Sequence, residues 1–210
     1  MQGVSANTRL KALRPVLEQW CAINSQLGRE WALVKDAPWW YNERALVSVF
    51  AGSIWTYGGA ALEEYAEVKR GDQTRNQGRI DLWFQLGQRE FLAEAKKCWV
   101  DCSDKSRALV SVNEALAKAI LDAGDIPPDG RPRLAMVFAV ALIPTQFAEN
   151  YADQITSLQA VAKSPKIKAD ARAWVFPKTS TPLRSSDGYF MPGIILWVKH
   201  VQRTRRFLSQ

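Results

Sequence analysis

The pattern of hydrophobic and polar positions changes between helical and strand periods along the chain. Apolar residues recur at helical spacing over residues 8–27, which predicts an amphipathic helix. Pro15 either kinks this helix or marks its first turn. A second helix is predicted from about Asn42, a residue type favoured at N-caps, to Gly58-Gly59. The first part of the chain is therefore expected to be helical, with an irregular segment between the two helices.

The next segments follow the strand period, and short glycine-containing turns separate them. These predicted strands lie at about residues 62–69, 79–86 and 90–100. Their short connections indicate an antiparallel meander. The remaining predicted elements are a helix at 105–123, a buried strand at 134–143, a helix at 144–161, and strands at 171–176 and 193–202. Helices covering both faces of one mixed sheet make a single α/β layered domain.

Composition limits the class of protein. The chain has 210 residues, of which 47% are hydrophobic and 23% are charged, values that are typical of one globular domain. The N-terminus has no apolar segment of signal-peptide type, and no apolar run approaches the ~20 residues that cross a bilayer. We therefore expect a soluble, cytoplasmic protein with no membrane partner.

Charge and the reactive residue types narrow the chemistry. A net charge of +7 favours a polyanionic partner such as nucleic acid, although many basic proteins have no such partner. The three cysteines, an odd number, suit reduced thiols in a cytoplasm. With a single histidine, His200, most histidine-based catalysis and a structural zinc site are not expected.

Two acids and a lysine interrupt apolar strands that a helix is expected to cover. Asp81 lies on the second predicted strand, and Glu94 and Lys96 lie on the third. Residues two apart on a strand share a face, roughly 6–7 Å apart. If the register places Asp81 beside Glu94, two carboxylates and an ammonium group converge. A carboxylate buried in such a strand costs several kcal/mol unless a cation or hydrogen bonds compensate it.

This arrangement suits phosphodiester hydrolysis. Two adjacent carboxylates repel each other unless a hard divalent cation such as Mg²⁺ or Mn²⁺ lies between them. The carbonyl of Ala95 is a candidate further ligand. Such a metal ion activates a bound water and stabilises negative charge in the transition state. Lys96 is a candidate to position or deprotonate that water, or to neutralise the phosphate.

The acid-x-Lys triplet has little value alone, because it arises by chance in a chain with this composition. It also occurs as Glu67-Val-Lys69, which we interpret as a solvated strand face. The Glu94 triplet differs because Asp81 precedes it on a neighbouring strand. Glu43 is a fourth candidate, since it lies on the apolar stripe of the second helix. It either reaches the metal, directly or through water, or is only an acid favoured by the helix dipole.

Together these residues resemble the PD-(D/E)-x-K nuclease superfamily, which has the restriction-endonuclease-like fold. The resemblance implies an αβββαβ core at about residues 42–143, with an N-terminal helical extension at 1–41 and a C-terminal extension of helix and strands at 144–210. It implies a Mg²⁺- or Mn²⁺-dependent DNA endonuclease. Candidate substrates are branched DNA and phage or mobile-element DNA, and a homodimer is one of the expected assemblies. The catalytic residues would be Asp81, Glu94, Lys96 and Glu43, and the metal ligands Asp81, Glu94, Ala95 and Glu43. The sequence departs from the family name at Ile80, where that name has proline.

Two other interpretations remain. The chain is either an inactive nuclease-like domain that binds nucleic acid or a partner protein, or a structural protein whose Asp81 and Glu94 pair with basic residues. Other features also have two interpretations. Trp39-Trp40 and Tyr41 suit packing or base stacking, and the basic run at 199–206 suits a phosphate-contacting arm or a frayed tail.

Overall fold

The structure, a computed structural model, describes residues 1–68, 77–178 and 184–202. Its first elements are an edge strand and two helices: β1 Gln2–Ala6, α1 Arg14–Trp31 and α2 Glu43–Tyr57. A 3-10 segment precedes α1, and Pro15 lies in the first turn of that helix rather than kinking it. The Asn42 side chain caps α2 by accepting the Ala45 N–H at 3.0 Å. This cap fixes where α2 begins, and therefore where Glu43 lies.

The middle of the chain forms a meander, a crossover helix and a central strand. Their bounds are β2 Ala60–Val68, β3 Gln77–Leu86, β4 Arg89–Asp101, α3 Lys105–Asp125 and β5 Arg133–Pro144. Strands β2, β3 and β4 pair antiparallel, as the short turns predicted. Strands β4 and β5 pair in parallel, because α3 carries the chain back to the same end of the sheet.

The last elements are α4 Tyr151–Ala162, β6 Ala171–Val175, β7 Tyr189–Phe190 and β8 Ile194–Val201. They complete one sheet in the order β1-β6-β8-β5-β4-β3-β2, and β7 pairs with β5. The expected α/β class with a mixed sheet flanked by helices is confirmed. Two expectations were wrong: the N-terminal segment is not only helical, because β1 joins the sheet, and α4 begins later than predicted, after a 3-10 segment at Thr145–Asn150.

Helices cover both faces of the sheet. One core lies between the sheet and helices α1 and α2, and the other lies between the sheet and helices α3 and α4. The apolar run of β5 is buried along most of its length, as a strand covered on both faces must be. Within the described ranges, every helix is too short or too polar to cross a lipid bilayer.

The regular side-chain alternation of β3 changes at Asp81. Leu82 and Phe84 face the α1–α2 core, whereas Ile80 packs with Leu92 on the other side. The β2–β3 register omits Glu64 and Asp81, which lie between the pairs Glu63–Leu82 and Tyr65–Ile80, and Glu64 has a left-handed φ of 52°. Strand β3 therefore departs from regular pairing and alternation at Asp81, its one acidic residue.

Candidate active site

Asp81 lies where the pairing of β3 with β4 stops. The last paired residues are Leu82 and Ala93, so the next positions along the two strands are Asp81 and Glu94. The Asp81 Oδ2 atom accepts the N–H of Ala95 at 2.7 Å. The carboxylate therefore takes the hydrogen bond that a continued β3 backbone would have made.

Glu43 makes the equivalent contact two residues further along β4. Its Oε2 atom accepts the N–H of Lys97 at 2.6 Å. It reaches the strand from the first turn of α2, which packs on the opposite face of the sheet from α3. Two carboxylates from two different elements thus bind alternate amides on the same edge of β4.

Lys96 lies between these two amides in sequence, and its side chain points to the α3 side. The Lys96 Nζ atom is 2.7 Å from Asp122 Oδ2 on α3 and donates to the carbonyl of Ala95 at 2.9 Å. Lys97 points the other way, where its ammonium donates to the carbonyl of Tyr41. Lys96 and Lys97 therefore point to opposite faces of the sheet, as neighbouring residues of a strand do.

Glu94 is the most buried of the four candidate side chains, with 3% of its surface exposed. It lies opposite Ala135 of β5 in the parallel register, and Ala135 faces the core beneath α3 and α4. The same face of β4 carries Lys96. A carboxylate buried this deeply in the sheet destabilises the fold unless polar or positive groups compensate it. Glu94 is therefore a candidate for a functional role.

The charges around Lys96 act on one another. Burial lowers the pKa of Lys96, but the hydrogen bond and charge of Asp122, together with the charges of Glu43 and Asp81, raise it more. Burial raises the pKa of Glu43, and the charges of Asp81 and Asp122 raise it further against the opposing effects of Lys96 and the Lys97 amide. Acids from α2, β3 and α3 therefore share one electrostatic site with one lysine.

A small acidic cleft opens beside Asp81. It has a volume of about 20 Å³, room for one or two water-sized groups, and four of its lining residues are acids: Glu43, Glu63, Glu64 and Asp81. Glu64 is 3.0 Å from Arg44 Nε, and Glu63 accepts the Ser48 hydroxyl at 2.7 Å. The acidic lining is thus only partly neutralised by neighbouring basic groups.

The donor chemistry of this site fits a hard divalent cation. In the described part of the chain, no three His, Cys, Asp or Glu side chains are arranged to hold a metal ion. A Mg²⁺ ion, however, needs only one or two carboxylates besides backbone and water oxygens. Asp81 and Glu43 each commit one oxygen to β4. Their second oxygens have no hydrogen-bond partner among the described residues, so they remain available to a ligand.

Asp122 is the site residue that the sequence interpretation missed. It lies at the edge of the apolar stripe of α3, next to the buried Ala123, where an acid on a helix ordinarily faces solvent. Only the contact with Lys96 distinguishes it. A weak signal was available, since Asp122 is one turn after the buried Ala119 and so on the side of α3 near the sheet.

The other predicted features divide between packing and surface. Trp39 is buried and donates its Nε1–H to the carbonyl of Met191 at 2.9 Å, so it packs rather than stacking on a base, whereas Tyr41 is 47% exposed. Lys199 pairs with Asp170 at 3.1 Å. The rest of the basic run beyond residue 202, and the lysine of the Glu67-Val-Lys69 triplet, lie outside the described residues.

Comparison with known proteins adds no assignment: no family model matches the chain, and no significant match was found among curated proteins or solved structures.

Proposed function

We propose that this chain is a metal-dependent nuclease of the PD-(D/E)-x-K type, which hydrolyses phosphodiester bonds of DNA. The observation that carries the proposal is the pair of carboxylates on the free edge of β4. Asp81 and Glu43 bind the amides on either side of Lys96. Lys96 lies beside these two carboxylates and is held by Asp122, so the site combines the acids and the ammonium group that phosphodiester hydrolysis uses.

The topology supports the same proposal. Elements α2, β2, β3, β4, α3 and β5 follow the αβββαβ order, with an antiparallel meander and a parallel fourth strand. We propose that these elements form a restriction-endonuclease-like core. Strands β6 and β8 extend its sheet beyond β5.

Each residue has a distinct role in this proposal. Asp81, Glu94 and the carbonyl of Ala95 hold Mg²⁺ or Mn²⁺, and Glu43 contributes directly or through water. The ion supplies an activated water and stabilises charge on the phosphate. Lys96 neutralises the phosphate rather than removing a proton, because Asp122 and the nearby acids favour its charged form. Asp122 keeps that ammonium in place.

The test is cleavage of plasmid and branched DNA in Mg²⁺ or Mn²⁺, with EDTA as the metal-free control. Asp81→Asn and Lys96→Gln remove the charges while retaining similar shapes. Glu114→Gln, an exposed acid on α3, is the matched control and should cleave like the wild type. Cleavage that persists in both site variants would remove the nuclease assignment.

One contact favours a second candidate function, in which the domain binds nucleic acid without cleaving it. The Lys96 ammonium donates to the Ala95 carbonyl at 2.9 Å, and this carbonyl is an expected metal ligand. A chain whose lysine permanently occupied that oxygen would bind metal poorly. Tight DNA binding with no Mn²⁺ binding at millimolar concentration would favour this candidate over the nuclease.

A further inference from the structure

A large apolar groove lies between helices α1 and α2, outside the acidic site. Its volume is about 530 Å³, within the range of pockets that hold small organic ligands. Its walls include Leu27 and Trp31 of α1, Tyr41 before α2, and Val49 and Gly52 of α2. A surface this apolar and concave is suited to a flat, apolar ligand rather than to a charged one.

Aromatic rings form one end of the groove. The rings of Trp31 and Tyr41 pack edge to face, with centroids 6.0 Å apart and an interplanar angle of 86°. Tyr41 is nevertheless 47% exposed, so much of its ring is accessible. Exposed aromatic rings bind nucleobases by stacking, and they do so without sequence preference, because every base has a flat face.

The groove adjoins the acidic site along α2. Ser48 lines the groove, and its hydroxyl donates to Glu63 of the acidic cleft at 2.7 Å. The Tyr41 carbonyl accepts a hydrogen bond from the Lys97 ammonium, and the backbone N–H of Lys97 donates to Glu43. The groove and the acidic cleft are therefore adjacent, and they are linked through Ser48 and Glu63 and through Tyr41, Lys97 and Glu43.

Positive charge lies at the junction between the groove and the cleft. The Lys97 ammonium is 4.2 Å from the centre of the Trp99 ring, and Trp99 is 44% exposed. Arg44 lines the cleft from the same end of α2. An apolar, aromatic groove joined to an acidic site by cationic groups matches a nucleotide strand, whose bases present flat faces that stack and whose phosphates are negative.

We propose that this groove binds an unpaired nucleobase of the DNA substrate, while the strand to which the base belongs continues past Lys97 into the acidic cleft. The inference rests on the proposed nuclease function and makes it more specific, because it names DNA with an unpaired base as the substrate class. A fully paired duplex keeps its bases stacked and offers none to the groove. Binding of such a base selects distorted, branched or single-stranded DNA.

The experiment measures DNA binding in EDTA, so that no cleavage occurs. The probe is a fluorescently labelled duplex with one unpaired thymidine, compared with the same duplex carrying an abasic residue at that position. The wild type should bind the thymidine duplex about tenfold more tightly, the value expected for one stacked base. Equal affinity for the two duplexes would overturn the proposal.

Two glycine substitutions test the groove: one fills it, and the other is the matched control. A Cβ atom at Gly52 or at Gly124 meets no atom within 4 Å, so Gly52→Leu and Gly124→Leu should both fold. Gly52→Leu places a side chain in the groove and should reduce the preference to less than about twofold. Gly124→Leu lies on α3 and should keep it. A preference that survives Gly52→Leu would contradict the assignment.

The remaining outcomes separate the two proposals and the alternative occupant. Base preference in a protein that fails to cleave any DNA with Mn²⁺ would support the groove and reject the nuclease. Cleavage without base preference would do the reverse. A dimer of the wild type that Gly52→Leu converts to a monomer, again without base preference, would assign the groove to a second copy of the chain and overturn the proposal.

Discussion

Replacing Asp81 by two different residues separates its structural role from its proposed chemical role. Asp81→Ala removes both the charge and the acceptor of the Ala95 N–H, whereas Asp81→Asn removes the charge and keeps an oxygen that can accept at the same position. Ala95 is 1% exposed, so only a water held in the small cleft beside Asp81 could replace the lost acceptor. The two variants should therefore differ in stability while both lose DNA cleavage.

The magnitude follows from the 2.7 Å contact. A buried amide left without an acceptor costs about 1–3 kcal/mol, and each kcal/mol lowers the melting temperature of a domain of this size by about 2–4 °C. Asp81→Ala should therefore melt about 2–12 °C lower. Asp81→Asn weakens the bond by removing its charge, but it also relieves repulsion with Glu43. Its stability should change by less than about 1 kcal/mol.

The assays are thermal unfolding and urea unfolding in EDTA, with cleavage measured separately in Mn²⁺. A lower midpoint with an unchanged slope would show that Asp81→Ala altered stability rather than compactness. Equal destabilisation of both variants would refute the reasoning, because it would mean that the charge and not the hydrogen bond holds the strand edge. Full cleavage by Asp81→Asn would refute the chemical role.

Three further predictions follow from the charges and thiols. Burial raises the pKa of Glu43 above its ordinary value of 4.5, so the folded protein binds this proton more tightly than the unfolded chain does and loses stability as the pH rises through that range. Glu43→Gln, measured in EDTA, should flatten this decline in urea midpoints between pH 4 and 8, and an unchanged pH profile would contradict it. The oxygens of Asp170 accept hydrogen bonds from Lys199, the His200 amide and Asn7. Asp170→Ala should therefore lower the free energy of unfolding by about 1–3 kcal/mol. A urea midpoint equal to that of Asp153→Ala, an exposed control, would contradict this prediction. Burial raises the pKa of the thiols of Cys21, Cys98 and Cys102 to about 12. A disulfide exchange reagent at pH 7.5 should therefore react slowly with these thiols until urea unfolds the chain.

Periodicity was sufficient to predict the main helices and strands, because each buries one face or a continuous run. It failed for β1, where the sequence Gln-Gly-Val-Ser-Ala has no clear apolar alternation. That segment is a strand because its backbone pairs with β6 from Gln2 to Ala6. Tertiary pairing, rather than local preference, determines its conformation, and no pattern within five residues records such a partner.

The candidate site was predictable only where its residues lie on adjacent strands. Asp81, Glu94 and Lys96 follow from strand spacing and a short turn. Asp122 does not, because its contact with Lys96 depends on how α3 packs across β4. The groove between α1 and α2 also escaped prediction, since it arises from the separation of two helices and not from the residues of either one.

The length of β4 explains why acids gather at this place. Strand β4 has 13 residues, but its pairing with β3 ends at Ala93, so the amides of Ala95 and Lys97 need other acceptors. Carboxylates from β3 and α2 supply them, and each brings a negative charge into a half-buried position. Because Lys96 is already paired with Asp122, it cannot neutralise both carboxylates. The backbone requirement of one strand thus creates an excess of negative charge, which the Mg²⁺ or Mn²⁺ ion of the proposed function would balance.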